Sequence, residues 1–121
     1  MKTFRFLDFT VYKDSKKFYK IVVSVTKRFP VEYHYLVNQL MRAVLSVCLN
    51  IAEGSAKKSD KDFNRYIENA LGSINESVAA LDIAYDNNLI TINSFNELNN
   101  LAEEIAKQLG GLSKKLKSLK S

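Results

Sequence analysis

The chain has 121 residues, 46% hydrophobic and 26% charged, with one proline, four glycines, one cysteine and no tryptophan. That composition excludes a multidomain enzyme, a disulfide scaffold, which needs paired cysteines, and a disordered tail, which cannot carry so much apolar content. The net charge of +5 hides a partition: residues 1 to 61 hold twelve Lys/Arg against five Asp/Glu, residues 62 to 110 two against eight, and residues 111 to 121 four against none. No run of eighteen apolar residues occurs, and Met1-Lys2-Thr3-Phe4-Arg5-Phe6-Leu7-Asp8 carries charges where a signal peptide needs its apolar stretch. The expectation is one cytoplasmic domain with no membrane contact, of a size that can fold as a monomer or within an oligomer.

In chain order, the first predicted helix covers Thr10 to Arg28. Val11, Phe18, Val22 and Val25 recur at helical spacing on one face. Opposite them, Lys13, Lys16, Lys17, Lys20 and Lys27 fall within an arc of roughly 100°. Phosphate neutralisation needs several cations on one surface, so this is the clearest basic feature of the chain. A solvated lysine face that prevents aggregation, and a docking surface for an acidic neighbour, are the competing readings. Phe29-Pro30 ends the helix.

The second helix spans Tyr33 to Ala56 with Leu36, Leu40, Val44, Val47 and Ile51 as its core positions. Its apolar residues sweep roughly 220°, about twice what one helix of a monomeric bundle needs. The excess points to a second burial against another subunit, with Met41, Leu45, Cys48, Leu49 and Ala52 as the interface. The remaining arc holds Gln39, Arg42, Ser46, Asn50 and Glu53 in one line. Polar groups on so apolar a helix need partners, and Arg42 is expected to reach Glu76 or Glu53. Gly54 is expected to end the helix in the left-handed region.

Gly54-Ser55-Ala56-Lys57-Lys58-Ser59 leads into the third helix, Asp60 to Asn87, where Ser59 and Asp62 match an N-cap pattern. Lys57, Lys58 and Lys61 form a second basic cluster beside that helix start, where anions are favoured. The glycine spacing of a P-loop is missing. Phe63, Ile67, Ala70, Ile74, Val78, Leu81 and Tyr85 mark the inner face. Arg65, Asn69, Gly72, Ser73 and Glu76 form a polar strip, with Gly72 expected to admit a neighbouring backbone. Ser94 and Glu97 suggest the start of a fourth helix running to Leu119, with Leu98, Leu101, Ile105, Leu109, Leu112, Leu116 and Leu119 inside. Lys114, Lys115, Lys117 and Lys120 crowd its end. Short connections between four helices of similar length imply an all-α, antiparallel up-down-up-down bundle.

Catalytic chemistry finds no foothold. Cys48 has no partner cysteine and no activating histidine in sequence reach, His34 is the only histidine, and Glu53 has no second carboxylate fixed opposite it. The Glu-x-x-His pairs of di-metal bundles are absent, so neither a metal nor another cofactor is expected.

The run Gln39-Leu40-Met41-Arg42-Ala43-Val44-Leu45-Ser46-Val47-Cys48-Leu49-Asn50-Ile51-Ala52-Glu53-Gly54 carries a resemblance. With Phe29-Pro30 before it and Phe63, Gly72-Ser73 and Glu76 after it, it resembles the four-helix-bundle proteins encoded in intervening sequences of bacterial 23S ribosomal RNA genes. Their superfamily includes the accessory variability protein of diversity-generating retroelements. The resemblance implies an antiparallel bundle assembled into a homo-oligomeric ring, usually a pentamer, without known catalytic activity. Its best understood members bind nucleic acid and a reverse transcriptase through a basic surface. The chain departs from that pattern at Tyr12, Tyr35, Met41 and Asn88, the last standing where glycine often ends the third helix. The functional expectation is a non-enzymatic, homo-oligomeric module that binds RNA or DNA backbone through Lys13, Lys16, Lys17, Lys20, Lys27, Lys57, Lys58, Lys61, Lys114 and Lys117. A scaffold recruiting only a protein partner through its ring surface is the alternative. Gln39, Arg42, Ser46, Asn50, Glu53, Ser73 and Glu76 are expected to form a structural polar network.

Overall fold

The computed structural model describes residues 3 to 118, and Leu119 and Lys120 lie outside them. Four long helices account for most of the chain: α1 (Thr10–Thr26), α2 (His34–Ser55), α3 (Asp60–Asp86) and α4 (Ile92–Ser118). Short 3-10 turns at Arg5–Asp8 and Val31–Tyr33 precede α1 and α2, and no strand occurs among the described residues. Each helix packs on two neighbours in cyclic order, α1 and α3 both lying between α2 and α4. α1 and α3 are therefore diagonal.

The core is the sum of the four apolar stripes. Phe18, Val22, Leu40, Val44, Val47, Ile51, Ile67, Leu81, Leu98, Ile105 and Leu109 are all but fully buried. Each such side chain contributes about 1.5–3 kcal/mol of burial free energy, enough to offset the entropy of ordering its residue. Buried hydroxyls are satisfied within their own helix or across a seam. Ser15 donates to the Val11 carbonyl at 2.7 Å, and Ser113 on α4 donates to Asn64 Oδ1 on α3 at 2.6 Å. No buried side-chain nitrogen or oxygen is left unpartnered among the described residues. Leu36, Val25, Val78, Leu101 and Leu112 only border the core, and Tyr85 is exposed, stacked on Phe95 at 5.6 Å.

Helix ends follow local chemistry, with three corrections to the sequence expectation. Ser59 caps α3 as expected, its hydroxyl accepting from the Asp62 amide at 3.1 Å. α4 starts earlier than Ser94, because the Thr91 hydroxyl accepts from the Ser94 amide and makes Thr91 the cap. Gly54 does not end α2 in the left-handed region: no glycine among the described residues has positive φ. It sits buried in the last turn, where a Cβ would lie 2.8 Å from Tyr66 Cβ and 2.9 Å from the Phe63 ring. The left-handed terminator is Asn88 (φ 61°), and the Leu89 amide closes back on the Ala84 carbonyl at 2.9 Å in a Schellman motif. Gly72, expected to admit a neighbour, has open space around it.

These two glycines should respond oppositely to alanine. Gly54→Ala forces α2 off α3 and is expected to lose about 1–2 kcal/mol, the overpacking cost outweighing the gain in helix propensity. Gly72→Ala meets nothing and gains about 0.5–1 kcal/mol from propensity alone. Urea midpoints of the two variants, falling for the first and rising for the second, check this.

Candidate functional site

Lys13, Lys16, Lys17 and Lys20 on α1 and Lys27 at its C-terminal cap are all exposed to solvent. None forms an ion pair among the described residues, and Lys16 lies over the Tyr12 ring at 5.0 Å. The reason is periodicity: Val11, Ser15, Phe18, Val22 and Thr26 occupy the buried face, which leaves the lysines diametrically outside.

The other cations do not join them in one stripe. Lys57 is drawn toward α3, its ammonium 5.0 Å from the Tyr66 ring and 4.0 Å from Glu53. Lys117 turns the same way to Glu68 at 3.6 Å. Lys58, Lys61 and Lys114 are exposed. On α4, Lys115 is the lysine beside α1, sharing with Arg5 a cleft of about 480 Å³ floored by Val11, Phe63 and Leu116.

Arg5 escaped the sequence reading. Its Nε and Nη2 donate to the Ser55 carbonyl at 3.3 and 2.9 Å, and its guanidinium lies 5.7 and 5.5 Å from the Phe9 and Phe63 ring centroids. The bonded partners are fifty positions apart, so no local signal exposes the contact. It satisfies a carbonyl at the end of α2 and brings the start of α1 to the basic 57–61 turn. That end of the bundle brings Arg5 and Lys115 to one cleft, where Asp60 also stands.

Part of the polar line of α2 faces α3. Ser73 donates to Ser46 Oγ at 2.9 Å, and Asn50 Nδ2 donates to both the Ser46 hydroxyl and its carbonyl at 2.9 Å. Gln39 Nε2 donates to the Glu76 carboxylate. Arg42 reaches neither Glu76 nor Glu53, contrary to expectation. Glu76 is engaged by Gln39 and Glu53 by Lys57, while Arg42 points outward into a groove shared with Tyr19, Tyr35 and Met41. The network is structural in position, fastening α2 to α3.

Of the residues assigned to a subunit contact, Leu45 and Leu49 are 42% and 56% exposed on the outer face of α2, beside Tyr35 at 78%. Met41 and Ala52 are half-buried at its margins. Cys48 is a correction: it is buried within the bundle, because its position on the helix turns it inward, and it cannot lie on the outer face. Burial pushes its thiol up to about 11, against a smaller opposing pull from its own backbone and from Lys16. At pH 8 a thiol of that kind is roughly one part in a thousand thiolate, against about a quarter for an ordinary cysteine. Iodoacetamide is expected to leave Cys48 unmodified in the native protein at pH 8 and to label it in denaturant, as read by mass spectrometry.

No cluster of three or more His, Cys, Asp or Glu suited to a metal ion occurs among the described residues. The sequence model of the 23S rRNA-intervening sequence proteins matches residues 7 to 111. The chain is similar to a protein of unknown function from the S23 ribosomal protein family of Bacteroides thetaiotaomicron, whose crystal structure superposes with a TM-score of 0.80 at 27% identity over 86% of this chain and 95% of that one. No curated protein matches the chain.

Proposed function

Because the chain belongs to the 23S rRNA-intervening sequence protein family, we propose that it is a non-enzymatic, cytoplasmic binding module: an antiparallel up-down-up-down bundle that assembles into a homo-oligomeric ring, a pentamer, and holds nucleic acid by its backbone. The observation that carries this reading is the row of exposed α1 lysines, none of them neutralised by a carboxylate among the described residues. A lysine row attracts phosphate without reading bases, so binding is weakly sequence-specific and releases counterions. Repetition around a ring multiplies a modest attraction per subunit.

The antiparallel order is supported by the seams: Gln39 meets Glu76, Ser46 meets Ser73, and Gly54 meets Phe63. Self-association is supported by the outer face of α2. The most apolar eighteen residues within Val31–Ser55 have a mean hydropathy of 1.3, yet only a third of that stretch is buried within one protomer. Burying Leu45, Leu49 and Tyr35 against a second copy removes that apolar surface from water.

Light scattering on the protein with a short mixed-sequence single-stranded RNA, at low and high salt, tests the reading. A pentamer-sized particle that gains RNA mass at low salt and loses it at high salt is the expected result. A monomeric mass contradicts the ring, and a ring without RNA at any salt contradicts the ligand.

A further inference from the structure

The acidic middle of the chain has no part in the reading above. Between Arg65 and Lys107 there is no lysine or arginine, while Glu68, Glu76, Asp82, Asp86, Glu97, Glu103 and Glu104 all fall in that interval. Glu76 and Glu68 are engaged by Gln39 and Lys117, and Glu104 by Lys107. Asp82 and Glu103 have no cationic partner among the described residues, and they stand on opposite banks of one groove.

That groove, of about 480 Å³, runs between α3 and α4. Its floor is apolar: Ile74 and Ala102 are buried, and Val78 and Phe95 are partly covered. Its banks are two matching strips at i, i+4 and i+7, Asn75-Ala79-Asp82 on α3 and Asn99-Glu103-Ala106 on α4. Seven residues of helix advance about 10 Å, so the groove accommodates roughly two turns of another helix. The alanines at 79, 102 and 106 extend no further than a methyl group, which lets a backbone come close.

We infer that the α3–α4 groove is a docking site for a cationic amphipathic helix of a protein partner. Apolar residues of that helix at i, i+3 or i+4 and i+7 enter the floor, and flanking lysines or arginines meet Asp82 and Glu103. The acidic banks repel phosphate, so the occupant is a polypeptide and not a nucleic acid. A second copy of this chain is a poor fit. Its exposed cationic face on α1 presents Lys13, Lys17, Lys20 and Ser24 while the apolar residues of that helix face its own core, and its exposed apolar face on α2 belongs to a helix with a single cation, Arg42. The site shares no residue with the α1 lysine row, whose helix does not line the groove.

The probe is a fluorescein-labelled helical peptide of about 18 residues, with leucines at the heptad spacing of one apolar face and lysines elsewhere, titrated into the full chain and followed by anisotropy. Two further peptides replace its leucines with serine or its lysines with glutamate. D82K/E103K is expected to weaken binding about tenfold or more, whereas E97K/E104K, the same charge change off the groove, weakens it less than about threefold. Both pairs are exposed, and circular dichroism checks that each variant folds. Loss of binding by the serine peptide and by the glutamate peptide supports the site. Equal weakening by the two variant pairs, retention of the glutamate peptide, or no binding of the lysine peptide overturns it. A change in mass of the free protein on D82K/E103K also overturns it, because the groove then holds a second copy.

Discussion

Substituting Leu45 and Leu49 with aspartate is expected to break the proposed ring into protomers while leaving the bundle intact. Both side chains stand on the outer face of α2, and each is exposed enough within one protomer that its loss costs that protomer little. In a subunit contact the same positions become buried. An unpaired carboxylate there costs on the order of 3–5 kcal/mol, which at micromolar concentration is sufficient to disperse most assemblies of this size. The effect repeats at every contact of a ring, so dissociation should be complete. Light scattering reads the mass and circular dichroism the helix content. An unchanged mass with both substitutions would show that subunits meet elsewhere, and a loss of helicity would show that these leucines serve the fold.

The triple variant Lys13→Glu, Lys16→Glu and Lys20→Glu is expected to lose RNA retention by at least about a hundredfold at low salt. On the proposed reading, the variant removes three phosphate contacts from each subunit and puts three repulsive charges in their place. All three lysines are exposed and none is in an ion pair among the described residues, where the one contact they lose is the approach of Lys16 to the Tyr12 ring. That contact is worth about 0.5–1 kcal/mol at a solvated site. Anisotropy of a labelled RNA across a salt series gives a second readout: the slope of log K against log salt should flatten as contacts disappear. Retention equal to the parent protein would sink the assignment of the ligand to α1. The peptide groove would be untouched by that result, since it uses neither these residues nor their helix.

Much of the fold was legible because helical periodicity is a local property. Phe18 and Val22, Leu40, Val44 and Ile51, Ile67 and Ile74, and Leu98, Ile105 and Leu109 were placed inside by spacing alone, and all are buried. Ser59 announced the start of α3 through a contact only three residues long. The lysine row of α1 was legible for the same reason, being the complement of a buried stripe. The start of α4 was misplaced by a choice between two hydroxyls, Thr91 and Ser94, that spacing does not resolve.

What the amino-acid sequence determined by itself was the class of the fold, the inner stripe of each helix with Cys48 and Tyr85 excepted, and the family pattern along the Gln39 to Gly54 run. The tertiary structure alone decided which outer residues meet. Gln39 rather than Arg42 took Glu76, Lys117 on α4 turned to Glu68 on α3, Arg5 crossed to Ser55, and Gly54 rather than Gly72 became the point of close approach. The physical reason is that the helical period specifies direction around an axis but not position along a neighbour. The register between helices is set by the joint packing of side chains distant in sequence, and each polar partnership follows from that register.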